Sequence, residues 1–213
     1  KKNHDASTVL SMHINLLYRK RNNAFFSIEK VFGVVADSIQ HSADKTIKLE
    51  KHELPFRSSN VFLLILNLLF FLSKRKGIFH ITGDVHYIIC VLPKNRTVLT
   101  IHDLVFLHTY TGFTRWFLKW TYLNLPVQRA KYITTISEKS KNEIIYYTNC
   151  DPGKIRVIPN PVDIHLTYEK KQFNNIKPRV LFLGTKANKN LELSILSLYD
   201  LPIHLRIIGE LSP

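Results

Sequence analysis

Of the ten histidines in this 213-residue chain, one stands where a strand-like run stops. Val98, Leu99, Thr100 and Ile101 are β-branched or apolar, and the run ends abruptly in His102 and Asp103. An imidazole donates or accepts a proton near neutral pH, and a neighbouring carboxylate can orient the ring or the loop that carries it. In an open parallel sheet, ligands bind in the crevice outside the carboxyl ends of the strands, where this pair would stand. The plainer alternative is that both residues only cap the strand end. His80, Asp84 and His86 form a second polar group, but their spacing is irregular for a bound structural ion.

The rest of the chain supplies the frame. His13 to Tyr18 reads as a first strand. Arg19 to Phe26 follows as a basic loop with Asn22 and Asn23 but no glycine, and Arg19 and Arg21 read there as solvated charges. Ser27 is placed to cap a helix through Val35, and Thr46 to Leu54 is a second, more exposed strand ended by Pro55. Val61 to Leu72 is apolar except for Asn67. It is too short to cross a bilayer and is expected to be a helix buried on all sides. Contact with a membrane surface beside Lys74, Arg75 and Lys76 is the alternative. Ile78 to Thr82 is a third strand, Val85 to Leu92 a short helix closed by Pro93, and Val98 to Ile101 a fourth strand. Phe113 to Leu125 has a helical pattern, with Pro126 kinking that helix or starting the next. Tyr132 to Ile136 is a strand, Ser137 caps a helix, and Ile155 to Ile158 is a short strand.

Strands alternating with helices predict an α/β chain built on a Rossmann-like doubly wound parallel sheet. The first domain is expected over 12–163 and a polar, basic linker over 164–178. A second domain begins over 179–213 with strand, turn, helix and strand. One βαβ unit cannot bury its own sheet, so this second Rossmann-like domain is expected to be incomplete.

A hydrophobic content of 45% supports a substantial core, and a net charge of +14 points to an anionic partner. Nucleic acid is not the expected one: there is no zinc pattern, no aromatic RNA-binding motif and no recognition helix, and the charge is spread along the chain. A nicotinamide-dependent oxidoreductase would carry G-x-G-x-x-G after the first strand, and this chain does not. Cys90 and Cys150 lack paired spacing, and Lys1 to Ser11 is polar with no apolar signal region, so a reducing, cytoplasmic setting is expected.

Five segments together resemble one family. HITGDVHY (His80 to Tyr87), TIHDL (Thr100 to Leu104), ISEKSKNEI (Ile136 to Ile144), KIRVIPNPVD (Lys154 to Asp163) and FLGTKANKNLE (Phe182 to Glu192) stand in the order and spacing of the retaining glycosyltransferases of family 4. The resemblance implies a GT-B fold, with an acceptor-side amino-terminal domain and a carboxyl-terminal domain that binds a nucleotide-sugar. It implies sugar transfer with retained configuration and no essential metal or resident cofactor, the nucleotide-sugar being a co-substrate. The acceptor would be a glycan or a polyprenyl-phosphate-linked sugar, in cell-surface polysaccharide synthesis. Peripheral contact with the anionic inner face of the membrane, helped by Lys1, Lys2 and the Lys74 to Lys76 cluster, fits the charge. A glycan- or acceptor-binding module without turnover is the alternative.

Carried onto this sequence, the resemblance gives His102 the place of the active-site histidine, hydrogen-bonding an oxygen near the reacting carbon, with Asp103 holding the loop or the ring. It puts Gly184, Thr185, Lys189 and Asn190 at the donor diphosphate. Lys189 would add an ammonium to the free N–H groups of a helix start, and Gly184 would let phosphates approach the backbone. Gly83, Asp84 and His86 would contact acceptor. Two departures stand out. Thr185 occupies the position where many relatives have arginine. The family's acidic pair, two glutamates separated by seven residues, has no counterpart, since Glu192 and Glu210 lack that spacing. The chain alone is therefore expected to be inactive or a truncated product.

Overall fold

The structure is a computed structural model that describes residues 12–21, 27–42, 46–73, 76–161, 167–185 and 189–209. It divides into two compact units, Lys1–Asp163 and Ile164–Pro213. Lys1, Lys2, Asn22, Asn23, Lys74, Arg75 and Glu210 lie outside the described residues.

In the first unit six parallel strands form one sheet in the order β2-β1-β3-β4-β5-β6. They are β1 (Met12–Tyr18), β2 (Ile47–Glu53), β3 (Ile78–Ile81), β4 (Thr97–Ile101), β5 (Tyr132–Thr135) and β6 (Ile155–Val157). β3 to β6 rise in register, with Ile81 beside Leu99 and Ile101 beside Thr135. Every neighbouring pair runs parallel, with helical segments in the connections between strands, which confirms the expected α/β, Rossmann-like parallel sheet. Chain direction across the sheet changes between β1 and β3, so the loops leaving these neighbours part and leave a crevice at their carboxyl ends.

Alternation along each strand sorts side chains between two faces. Leu16 and Tyr18 of β1 pack with Phe32 and Ala36 of α1 (Ser27–Gln40). On the other face Leu17, Phe79, Ile81, Leu99, Ile101 and Ile133 form the main core with residues of α2 (Val61–Leu72), α3 (Phe106–Thr109), α5 (Leu125–Arg129), α6 (Glu138–Thr148) and the 3₁₀ segment His86–Val91. Ser27 is the first residue of α1 rather than its cap, and the helix runs five residues past Val35.

α2 corrects one expectation. Its side chains are not buried all round: Val61, Phe62, Ile65, Leu69, Phe70 and Leu72 are exposed. The helix lies in the outer layer and turns only Leu64, Asn67, Leu68 and Phe71 towards the core. Asn67 is fully buried, which its hydrogen bonds explain: it accepts from Phe56 N–H at 3.1 Å and donates to the Phe56 carbonyl at 3.0 Å and to the Tyr87 hydroxyl at 2.9 Å.

Pro126 stands in the first turn of α5, as the start of the next helical segment, but no loop separates that segment from the one before it. α4 (Gly112–Leu118) widens into a π-helical segment, Lys119–Asn124, that runs directly into α5. Proline has no N–H for the carbonyl of Tyr122 four residues earlier. That carbonyl accepts instead from His86 Nδ1 at 2.6 Å.

The second unit contains β7 (Arg179–Leu183) and β8 (His204–Ile208), paired in parallel, with α7 (Leu191–Leu198) between them in sequence. None of its described residues is buried, and Leu181, Leu183, Leu193, Leu196 and Ile208 are exposed.

Candidate functional site

At the carboxyl edge of the first unit's sheet is a cleft of about 580 Å³, a size suited to a small ligand. Its floor is polar, with Arg19 following β1, Asp84 and His86 following β3, and His102 and Asp103 following β4. Ser27, Ile28 and Val31 of α1 form one wall; Phe106, Tyr110, Leu118 and Tyr122 form another. Ile136 and Asn160 complete the lining.

His102 is set by the backbone of the adjacent strand. Its Nε2 lies 2.8 Å from the carbonyl oxygen of Thr82, which assigns the ring proton to Nε2 and leaves Nδ1 as the acceptor. The strand-end turn is anchored beneath it, because Ser140 Oγ donates to the His102 carbonyl at 3.1 Å. Ser140 sits in the first turn of α6, whose cap Ser137 accepts from Ser140 N–H. Asp103 accepts from Val105 N–H at 3.1 Å, so this carboxylate holds the loop, and the ring is oriented by Thr82.

Gly83 allows this approach. At φ +145° it has a backbone that side chains rarely adopt, and a Cβ there would meet His102 Cδ2 at 2.9 Å and Ile28 Cδ1 at 3.0 Å. Asp84 follows in a left-handed conformation, φ 54°. Its carboxylate pairs with Arg19 Nη1, while Arg19 Nε and Nη2 grip Glu29 at 2.9 and 3.1 Å. Burial lowers the Arg19 pKa, but hydrogen bonds and charge from Glu29 and Asp84 more than reverse this, and the net shift is upward. Arg19 is thus a locked ion-paired residue and not the solvated charge expected from the loop's composition. Burial also pushes the neighbouring Tyr18 up to about 12, with Glu29 adding to the shift.

The other two histidines are held in their neutral forms. Burial, with the neighbouring His102 imidazole acting in the same direction, pulls His80 down to about 4. Its Nε2 meets Thr100 Oγ1 at 2.7 Å, and that hydroxyl meets Thr134 Oγ1 at 2.6 Å. His80 points to the α1 face, with its ring edge-on to Phe32 at 5.1 Å, and does not line the cleft. His86 is buried and its pKa is lowered by burial, against the raising effect of its bond to the Tyr122 carbonyl. Among the described residues no group of histidines, cysteines and acids gathers to hold a metal.

The structure therefore brings together His102, Asp103, Asp84 and His86 on one floor, with Gly83 beneath the imidazole. Sequence reasoning missed the Arg19–Glu29–Asp84 network and the aromatic wall. A charged residue directly after a buried first strand was the available signal for Arg19.

The second unit holds the other expected group. Gly184, at φ 86°, donates its N–H to the Ile208 carbonyl at 2.8 Å, and the aliphatic stem of Lys189 lies against its open side. Thr185 abuts Gly209, at 2.8 Å from a Cβ placed there. Lys189 is exposed, and Asn190, left-handed at φ 52°, directly precedes α7. Residues 186–188 of the turn lie outside the described residues.

A family model described as Glycosyltransferase Family 4 matches residues 47–166, more than half of the chain. No curated protein matches it. The matched span holds β2 to β6 and, from the cleft floor, Asp84, His86, His102 and Asp103.

Proposed function

The chain belongs to glycosyltransferase family 4, and on that basis we propose that it transfers a sugar from a nucleotide-sugar to a glycan or lipid-linked acceptor with retention of configuration, in cell-surface polysaccharide synthesis. Membership itself carries the coarser statement: this is a glycosyltransferase domain, which works on a sugar donor and an acceptor.

In this reading the cleft of the first unit takes the acceptor. The observation that supports it most is the His102 ring, fixed through Nε2 to the Thr82 carbonyl while facing a walled cleft, so that Nδ1 is left to accept from a sugar hydroxyl near the reacting carbon. Asp84, held by Arg19, offers its remaining lone pairs to an acceptor hydroxyl. Gly83 and His86 shape the floor.

The donor diphosphate belongs to the second unit. Lys189, with Gly184, Thr185, Asn190 and the free N–H groups that open α7, offsets the charge of the leaving diphosphate. As the acceptor oxygen bonds to the anomeric carbon on the face from which the diphosphate departs, the bond to the diphosphate breaks, its electron pair leaves with the phosphate, and the proton of the acceptor hydroxyl passes to that departing phosphate oxygen. Stabilising that charge with fixed dipoles and an ammonium needs no metal and no resident cofactor. The reaction is assigned to the cytoplasm.

The test is a panel of nucleotide-sugars incubated with the chain and candidate glycan acceptors. Acceptor-dependent release of nucleoside diphosphate, with a product of retained anomeric configuration by NMR, is expected from a form of the chain extended by a complete second domain and not from the chain alone. Glycan binding with no donor consumed by the extended form would instead make this a binding module.

A further inference from the structure

Behind His102 the cleft meets a second, smaller cavity that the transfer reading leaves unassigned. It has a volume of about 130 Å³ and lies between α1 and the ends of β4, β5 and β6. Val31, His102, Ile136 and Asn160 line both spaces, so the imidazole stands at their junction. The walls of the smaller one are apolar: Val31, Phe32 and Val35 come from α1, and Ile158, Pro159 and Pro161 follow β6.

Its polar groups are few and joined in a row. Thr100 and Thr134 are paired in register across β4 and β5, so their side chains share the α1 face with His80. His80 Nε2 meets Thr100 Oγ1 at 2.7 Å, and that hydroxyl meets Thr134 Oγ1 at 2.6 Å. Each hydroxyl has one proton to give, so the row runs in one direction. If His80 donates at its head, the Thr134 proton is left to donate into the cavity; if His80 accepts, the Thr134 oxygen is left to accept there.

Size and lining define what fits. An apolar cavity of about 150 Å³ takes a benzene ring, so this chamber is too small for a hexose with its hydroxyls and suits a substituent of a few atoms. A charged or hydroxyl-rich group would lose its hydration against these walls without enough partners, and a bare methyl group would leave the Thr134 end of the row unused. An acetamido group meets both conditions. Its methyl packs on the valines and prolines, while its carbonyl accepts from Thr134 or its N–H donates to it, whichever way the row runs.

We propose that this chamber is a specificity pocket for the N-acetyl group of an amino sugar bound in the cleft, which makes the acceptor a glycan or glycolipid ending in an N-acetylhexosamine. The inference rests on the reading of the cleft as the acceptor site.

The full chain, with no sugar donor present, is mixed in turn with the methyl glycosides of N-acetylglucosamine, N-acetylgalactosamine, glucose, galactose and a 6-deoxyhexose, and binding is followed by saturation-transfer NMR and titration. The acetyl methyl protons should receive the strongest saturation, and at least one N-acetylated glycoside should bind about tenfold tighter than its parent hexoside, from one buried methyl and one hydrogen bond. Val35→Phe, which fills the chamber from α1, should erase that preference and leave hexoside binding as in the parent. Thr134→Val keeps the shape and removes the hydroxyl; it should weaken the N-acetylated glycoside about fivefold and the hexosides not at all. Equal binding of N-acetylated and plain hexosides, preference for the 6-deoxyhexose, or a preference untouched by both variants would overturn the proposal and leave the cleft's acceptor reading standing. No binding of any glycoside would overturn both.

Discussion

The Gly83–His102 contact makes a backbone atom part of the site's chemistry. Gly83→Ala combines an unfavourable φ with a Cβ at 2.9 Å from the imidazole. The expected cost is about 1–3 kcal/mol of stability, measured by denaturant unfolding, together with a displaced His102 ring and slower transfer. An unchanged ring position in a crystal structure of the variant would contradict this. His80 gives a second prediction, in pH. Its folded-state pKa, about 4, lies below the ordinary 6.5, so between these values the unfolded chain binds the extra proton and stability falls as pH is lowered through the window. The loss is about 3 kcal/mol at full extent, and His86, also lowered, acts in the same direction. Unfolding midpoints followed from neutral pH down to about pH 4 should fall in the parent and fall less in His80→Gln, which keeps a partner for Thr100 and does not titrate, the remaining fall being that of His86.

Asn67 is the informative residue at the scale of elements. It is the polar break in an apolar helix, and the structure makes it the clamp that ties α2 to the Phe56 backbone and the Tyr87 hydroxyl. Asn67→Leu should therefore destabilise by about 2 kcal/mol despite its greater hydrophobicity, because it orphans buried partners; a melting temperature at or above the parent's would refute this. The strand positions were legible because apolar runs closed by Gly, Pro or His-Asp mark them plainly, and alternation with helices implied parallel pairing. The surroundings of α2 were not legible. Its composition reports how apolar the helix is and not how much of it meets the core, and the choice between burial and an outer position is made by the 86–91 segment it packs against. Continuity through Pro126 was equally hidden, since it depends on His86, 36 residues away, taking up the Tyr122 carbonyl. His102 and Asp103 could be placed at the strand end from local pattern, but the ring's partner comes from a neighbouring strand, and Arg19's from a helix and a third loop.

The two units differ in how they are held together. The first has an extensive buried core on one face of its sheet and a smaller cluster on the other. The second pairs two strands and one helix without a buried side chain among its described residues. Two strands are at most marginally stable alone. Hydrogen exchange on the full chain should accordingly show β7 and β8 amides exchanging orders of magnitude faster than those of β3, β4 and β5, and comparable protection in both would contradict that ledger of burial. The +14 charge belongs to this scale as well, since it suits anionic diphosphates and lipid without selecting either. The central claim is that His102 acts on a sugar held in the first unit's cleft. It is tested most directly by kcat/KM for sugar transfer, measured in a form of the chain extended by a complete second domain, in His102→Ala beside His108→Ala, a change at an exposed histidine of α3. We predict a loss of about a hundredfold or more for the first and parent-like transfer for the second, with both variants melting as the parent does; parent-like transfer by His102→Ala would contradict the account.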